Sequence, residues 1–455
     1  MKIPFLVTAA VAAASGMLMA QAPALQHAPQ TQSGEKAKQT GSLRLEDLEK
    51  TALQNNPTLK QAEARVRAAR GKMKQAGLYP NPIVGYEGDE ISAGPVIRGG
   101  EHGFFLEQTI PMGGKLRKNA DVFREEVRHA EAEAEAQRLR VLNTLRVLFY
   151  EALAAQRRLE ARQKLAALAD EAVETSKGLY NVGASDKPDL LEVEMEAQRA
   201  HLAVATAQND HVRIWQQLAA LSGTPDLPPA TLGGDFEESI PVMDAESTLD
   251  EILRNSPEMK LARAAAGRAR AAVTYARSQR VPDLRARGGL RNNRELINVG
   301  GQPVGLEGFA EVGITLPIFN RNQGNIVAAR AGAEYAEEEV RREEMMLRTR
   351  FSEWFNRYQS SLRIVETYKK EVIPRAEEAY QLYLAKFQEM AAAYPQVLIA
   401  QRTALQAGVE YIGALENFWR AVIPLRGYLL MDGLAAPRSF EGRLQGMRDE
   451  ESQSR

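Results

Sequence analysis

The chain of 455 residues contains no cysteine. That removes disulfides, thiolate metal sites and cysteine nucleophiles together. Histidine is scarce: His27, His102, His129, His201 and His211 are all there are, and no two stand at the i, i+4 spacing of a helical metal pair. A tight metal site built within one chain is therefore not expected, and no cofactor is implied. Aromatics make up only 6% of the residues, little for large conventional cores. The formal net charge is −1, which argues against a nucleic-acid binder held by phosphate contacts. Beyond the N-terminus no stretch reaches the roughly 18 uninterrupted apolar residues of a transmembrane helix.

What is present begins with a leader. Lys2 supplies a positive start, Phe5 to Ala20 form an apolar, alanine-rich run, and Ala20, Ala22 and Ala24 offer small residues for cleavage. Residues 1–24 read as a signal peptide rather than a membrane anchor, because the run is short and a polar, proline-containing stretch follows. Residues 25–44 are polar and expected to be flexible.

The chain then states one unit twice. Asn55-Asn56-Pro57-Thr58-Leu59-Lys60 returns 200 positions later as Asn255-Ser256-Pro257-Glu258-Met259-Lys260. Leu53 matches Leu253, Ala62 matches Ala262, Ala76 matches Ala276 and Pro82 matches Pro282. Asn56 or Ser256 is expected to cap a helix whose first residue is proline, where a missing N–H costs nothing. The repeats are assigned to residues 45–222 and 248–433. An acidic, glycine- and proline-containing linker, 223–247, joins them, and 434–455 form a flexible tail.

Within each repeat the pattern is helix, two strands, helical hairpin. In the first, a helix to about Leu78 precedes strands Ile83–Asp89 and Phe104–Ile110, and Lys115 to about Tyr180 then runs without a proline. Some 65 residues at about 1.5 Å each give about 100 Å of helix. A turn at Gly183–Pro188 leads to a return helix ending near Leu221. In the second, a helix from Leu249 precedes strands Leu284–Arg291 and Gly308–Leu316. A helix then runs toward Met390 with a kink expected at Pro374, and a return helix opens at Pro395 and ends near Gly433.

Each strand has one apolar and one polar face. Glu87, Asp89, Arg285, Arg287 and Arg291 share the polar side. Two readings of the strands stand together: an ordinary sheet over a soluble core, or part of a membrane barrel. In lipid, four strands would leave two unpaired edges, which only other copies could satisfy. Three copies would give a barrel of about twelve strands. The arginines would then line the lumen, where they could disfavour cations, pair with Glu87 and Asp89, or face water. Helical hairpins of this length are not expected to fold around a private core and so also call for neighbours.

Gly113-Gly114-Lys115 lacks the remaining residues of a phosphate loop and reads as a flexible joint. Glu125-Glu126 and Glu337-Glu338-Glu339 read as solvated helix faces, not acid/base pairs.

From Leu45 to Gly433 the chain resembles the TolC-like outer-membrane efflux channels. The likeness rests on the doubled Asn-x-Pro start and on the passage Gln108-Thr109-Ile110-Pro111-Met112-Gly113-Gly114-Lys115. It rests also on Leu316-Pro317-Ile318-Phe319-Asn320-Arg321-Asn322-Gln323-Gly324-Asn325, on Val372-Ile373-Pro374 and on Tyr180-Asn181-Val182-Gly183-Ala184. The Gly-Gly-Lys and Phe-Asn-Arg-Asn-Gln-Gly-Asn versions look most like the CzcC-like branch that serves heavy-metal cation efflux.

The resemblance implies an α+β membrane protein that forms a homotrimer: a 12-stranded barrel in the outer membrane above an α-helical periplasmic tunnel. It implies a passive exit duct, not an enzyme, in contact with outer-membrane lipid. A periplasmic membrane-fusion adaptor and an inner-membrane RND-type pump are the implied partners. Val182, Gly183, Ala184 and Ser185 match the adaptor-docking hairpin tip; the second tip, Gln388-Glu389-Met390-Ala391, lacks its glycine. Pro111, Gly113, Gly114, Pro317 and Gly324 mark the strand-to-helix joints. Asp189 matches an acidic position that restrains closure in relatives, but Ala392 and Ala393 stand where its partners would be. Gln396 and Ile399 stand where some relatives place gating carboxylates. The same fold serving multidrug efflux or type I secretion is one alternative; a periplasmic coiled-coil scaffold without a pore is another.

Overall fold

The computed structural model describes residues 42–90, 100–234, 236–237, 240–296 and 301–437. The signal peptide, most of the segment 25–44 and tail residues 438–455 lie outside the described residues. From Ser42 onward the chain forms one unit.

The repeat is visible in the elements. Helices α1 (Leu45–Asn55) and α2 (Pro57–Ala76) are matched by α5 (Ala245–Asn255) and α6 (Pro257–Ser278). Between the members of each pair the expected cap is in place. Asn56 Oδ1 accepts from Thr58 N at 2.9 Å and Ser256 Oγ from Met259 N at 3.2 Å, and each proline follows at the first helical position. Both caps are fully buried. Asn56 Nδ2 also donates to Leu221 O at 2.9 Å, tying the start of α2 to the end of the return helix.

After α2 come β1 (Ile83–Asp89) and β2 (Glu101–Ile110); after α6 come β3 (Leu284–Leu296) and β4 (Pro303–Ile314). The four form one antiparallel sheet in the order β1-β2-β3-β4. The repeats therefore meet at β2 and β3, and β1 and β4 are the two edges. Three strands are longer than their hydrophobic pattern indicates: β2 begins at Glu101, β3 reaches Leu296 and β4 begins at Pro303. Ladder pairing carries them through polar stretches that read as loop.

Helix α3 (Lys115–Asn181) spans 67 residues and α4 (Lys187–Leu221) returns antiparallel to it. In the second repeat α7 (Gln323–Thr367) passes through a π turn at Tyr368–Val372 into α8 (Ile373–Gln388), and α9 (Tyr394–Arg426) returns. The kink expected at Pro374 takes this form. Proline has no N–H for the i−4 carbonyl, and the wide turn just before it, closed by Ile373 N on Tyr368 O, absorbs the mismatch. Helix α9 ends at Arg426, earlier than expected, because Tyr428 and Leu429 adopt positive φ.

A core inside the single chain corrects the expectation that the hairpins have none of their own. The scarce aromatics are concentrated midway along the helices. Tyr150 and Trp419 stack with centroids 4.3 Å apart, Phe418 meets Trp419 edge-on, and Tyr358 packs on Phe418. The linker crosses this core and is pinned by aromatic donors. Trp419 Nε1 donates to Phe236 O, Trp215 Nε1 to Leu227 O and Tyr358 Oη to Pro241 O, each at 3.0 Å. Away from this level burial fades, and α8 has no buried residue.

Polar side chains of α3 hold the chain beyond α9. Gln137 Nε2 donates to Gly433 O and Ala435 O at 3.1 Å and to Thr58 Oγ1 at 2.9 Å. Asn143 Nδ2 donates to Gly427 O and Leu430 O, and Gly433 N donates to Thr144 Oγ1. The first residues of the expected tail are thus docked through Pro437, whose carbonyl meets Arg65. Leu43, assigned by sequence to the flexible segment, pairs with Leu232 in a parallel bridge.

Candidate functional site

The sheet sorts its residues by chemistry. One face carries Val84, Tyr86, Phe104, Leu106, Leu290, Leu306, Val312 and Ile314, all exposed. The other carries the charges. All five residues expected there share that face, and β2 and β4 add Glu101, Glu107, Glu307 and Glu311.

Each arginine on this face is engaged. Arg287 lies 2.8 Å from Glu87 and 3.9 Å from Glu311. Arg285 lies 3.2 Å from Glu107, and Arg291 pairs with Glu101 and, at 3.3 Å, with Glu307. The Arg287 guanidinium also sits over the Phe105 ring, 4.1 Å from its centroid. Gly85 makes room for that ring: a Cβ there would stand 2.4 Å from Phe105 Cζ. Asp89 makes no ion pair with these arginines; it accepts from Glu90 N at 3.0 Å. The described residues of this face count three arginines against six carboxylates, Glu87, Asp89, Glu101, Glu107, Glu307 and Glu311, a formal charge of −3 per chain. A surface that repels cations, one of the readings open to the sequence, is not what the sheet builds. Glu101 and Glu307 were missed because both precede the point where the apolar alternation of their strands becomes regular.

The strand-to-helix joints lie at the opposite end of the sheet from Asp89 and Glu101. Gly113 and Gly114 both adopt φ of 67°, and Gly114 caps α3. Lys115 Nζ reaches Asp283 Oδ1 at 2.6 Å, and the same oxygen accepts from Met112 N at 3.1 Å, which fastens this joint to the foot of β3. Pro111 precedes the joint and Pro317 follows β4, as expected. Gly324 does not form the second joint. It lies in the first turn of α7, and Asn322, with φ of 57°, takes the left-handed position. The side chain of Asn322 donates to Ala276 O at 2.8 Å, anchoring the turn to the end of α6.

The hairpin tips share one turn. At the first, Val182, Gly183 and Ala184 donate to the carbonyls of Gly178, Tyr180 and Leu179; at the second, Glu389, Met390 and Ala391 donate to those of Ala385, Phe387 and Lys386. Gly183 has φ of 75° and Met390 of 61°. The missing glycine leaves the fold of the second tip intact and places an exposed methionine at its apex, 96% accessible. Val182 is likewise exposed, and Ser185 Oγ donates to Asp189 Oδ2 at 3.2 Å. Asp189 Oδ2 also accepts from Asp186 N at 3.5 Å, part of the capping box at the start of α4. His201 and Asp170 join α4 to α3 at 2.9 Å. Glu339 pairs with Arg342 along α7, whereas Glu126, only 16% exposed and expected on a solvated face, bridges α3 to Lys72 of α2 and Arg268 of α6. Among the described residues no three His, Asp or Glu side chains are grouped to hold a metal ion, and no helix is long and apolar enough to cross a membrane.

Residues 48–224 and 248–429 match the outer membrane efflux protein family. The chain belongs to that family. It is 27% identical over 385 residues to the cobalt-zinc-cadmium resistance protein CzcC of Cupriavidus metallidurans, covering 84% of this chain and 88% of that protein. Its fold is shared with solved outer-membrane channels. CusC superposes with a TM-score of 0.68 at 17% identity, covering 85% of this chain and 92% of that one. VceC of Vibrio cholerae does so at 0.67 and 19%, covering 86% and 96%.

The fold is therefore TolC-like: long helical hairpins for the periplasm and a four-stranded share of an outer-membrane barrel. The chain is an outer-membrane efflux channel, a passive conduit and not an enzyme, and family membership sets aside the scaffold without a pore.

Proposed function

We propose that three copies of the chain close into a 12-stranded barrel above a helical tube. In this reading the duct is the outer-membrane exit for heavy-metal cations, coupled through a periplasmic adaptor to an inner-membrane RND-type pump. The repeats 45–222 and 248–433 are its two structural units, and 223–247 is the strap across its middle. The tips at Val182–Ser185 and at Met390 are the adaptor contacts, because they end the hairpins in one shared, exposed turn.

The observation that carries the cation reading is the charge of the lumen face. Three copies of a face at −3 bring about nine excess negative charges to one opening, and carboxylate rings favour cations. Arg285, Arg287 and Arg291 are neutralised in place and act as spacers between carboxylates. The resistance function named for CzcC supports the same reading.

The test is planar-bilayer conductance of the purified protein under a salt gradient. Cation preference is expected in the reversal potential, falling about severalfold in a Glu101→Gln, Glu307→Gln double variant. Anion preference in the parent protein would overturn the reading. In cells, deletion of the gene should lower tolerance to cobalt, zinc or cadmium salts, and the double variant should restore it only in part.

A further inference from the structure

We propose that the helix-proximal rim of the barrel is a seat for anionic phospholipid of the inner leaflet of the outer membrane. The proposal rests on the sheet being a membrane barrel and adds a ligand class to its lower edge.

The lipid-facing side of the sheet does not stop where the strands stop. The alternation that exposes Val312 and Ile314 on β4 continues to Leu316, 62% exposed, and then to Ile318 and Phe319, the latter 91% exposed. On the first repeat it continues from Ile110 to Met112, with Leu78 and Tyr79 exposed at the same level. Between the stretch Leu316–Asn320 and the end of α6 lies an open groove of about 1000 Å³, walled by Tyr275, Val281, Leu316 and Phe319. These residues form its apolar wall, which continues the lipid-facing sheet, while Gln279, Asn320, Asn322 and Asn325 line its polar side.

Cations ring the same level. Arg277 lies in the last turn of α6, Arg280 just beyond it, and Arg321 donates from Nε to Ile318 O at 3.2 Å, beside the exposed apolar run. All three are exposed, and among the described residues none is in an ion pair. The nearby carboxylates are already engaged: Asp283 by Lys115 and Asp121 by Arg124. A groove with one apolar and one polar wall, edged by uncompensated guanidinium groups, matches an acyl chain joined to an anionic headgroup.

Native mass spectrometry of the full-length assembly in detergent tests this, with phosphatidylglycerol, phosphatidylethanolamine and inorganic phosphate titrated separately. Retention of phosphatidylglycerol above the other two is expected. An Arg277→Gln, Arg280→Gln, Arg321→Gln variant should lose about fivefold in that preference for each arginine that faces a headgroup. Phe319→Ser should lower retention of both lipids. Arg341→Gln, on an exposed face of α7 well below the rim, is the control and should change nothing. Equal retention of the two lipids would overturn the proposal. So would a triple variant indistinguishable from the control, or an assembly in which a second copy covers Leu316 to Phe319. Conductance of the triple variant should match the parent, which separates loss of the lipid seat from loss of the channel.

Discussion

At the scale of the residue, the left-handed positions discriminate between neighbours. A Cβ on Gly113 would lie 2.8 Å from Val281 Cγ2, whereas one on Gly114 would meet nothing within 4 Å. Both residues need positive φ, which costs a non-glycine residue about 1–2 kcal/mol. Gly114→Ala should cost about that much, and Gly113→Ala visibly more, in denaturant midpoints of the assembly. Met390→Gly should stabilise by about 1 kcal/mol by the same physics. A second residue-scale test concerns Glu343. Burial, and then the neighbouring Glu258 carboxylate, raise its pKa above the ordinary 4.5, against the opposing pull of Arg350 and Arg342. The folded chain therefore holds this proton more tightly than the unfolded chain. Its contribution is fully present below the unfolded value and is lost as pH rises through the raised one. Glu343→Gln mimics the protonated form. Its melting temperature relative to the parent should rise as pH climbs above the ordinary 4.5. A flat difference would refute the assignment. Glu258→Gln should lower the melting temperature at neutral pH, because Glu258 is the carboxylate that holds Arg350 most closely, at 2.5 Å.

At the scale of the element, helices were legible and strand ends were not. Asn56-Pro57 and Ser256-Pro257 announce their caps with local chemistry alone, and a stretch without proline from Lys115 to Asn181 permits little but helix. Strand limits depend on a partner strand that lies far along the chain. Glu101 is in β2 because it pairs with Asp89 and Asn293, not because of its own neighbours in sequence. Gly324 was misjudged for a related reason: Asn322 can also adopt the left-handed turn, and its amide gains a bond to Ala276 O that glycine could not make. The docking of residues 427–437 on α3 was not legible at all, since it depends on Gln137, Asn143 and Thr144 meeting backbone from the far end of the chain. Gln137→Leu would leave two carbonyls and the Thr58 hydroxyl without this donor. It should cost about 1–3 kcal/mol per buried group left unsatisfied and speed limited proteolysis between Gly427 and Pro437.

At the scale of the whole molecule, the aromatic core explains how a protomer holds its shape before assembly, and the open edges of β1 and β4 explain why assembly must follow. Unpaired N–H and C=O groups are not tolerated in lipid. Detergent-extracted protein should therefore run as a species of roughly three chains, each 50.2 kDa before removal of any leader. Light scattering coupled to chromatography checks this; a stable single chain in membrane-like detergent would contradict it.

The two hairpin tips carry the same turn on different side chains, bare at Gly183 and thioether-bearing at Met390. Around the periplasmic mouth of a three-copy ring such apices would alternate, six positions of two kinds. A docking partner made of identical units would then meet flat and protruding seats in turn. Its copies would have to settle in unequal poses, or come in pairs whose members divide the work.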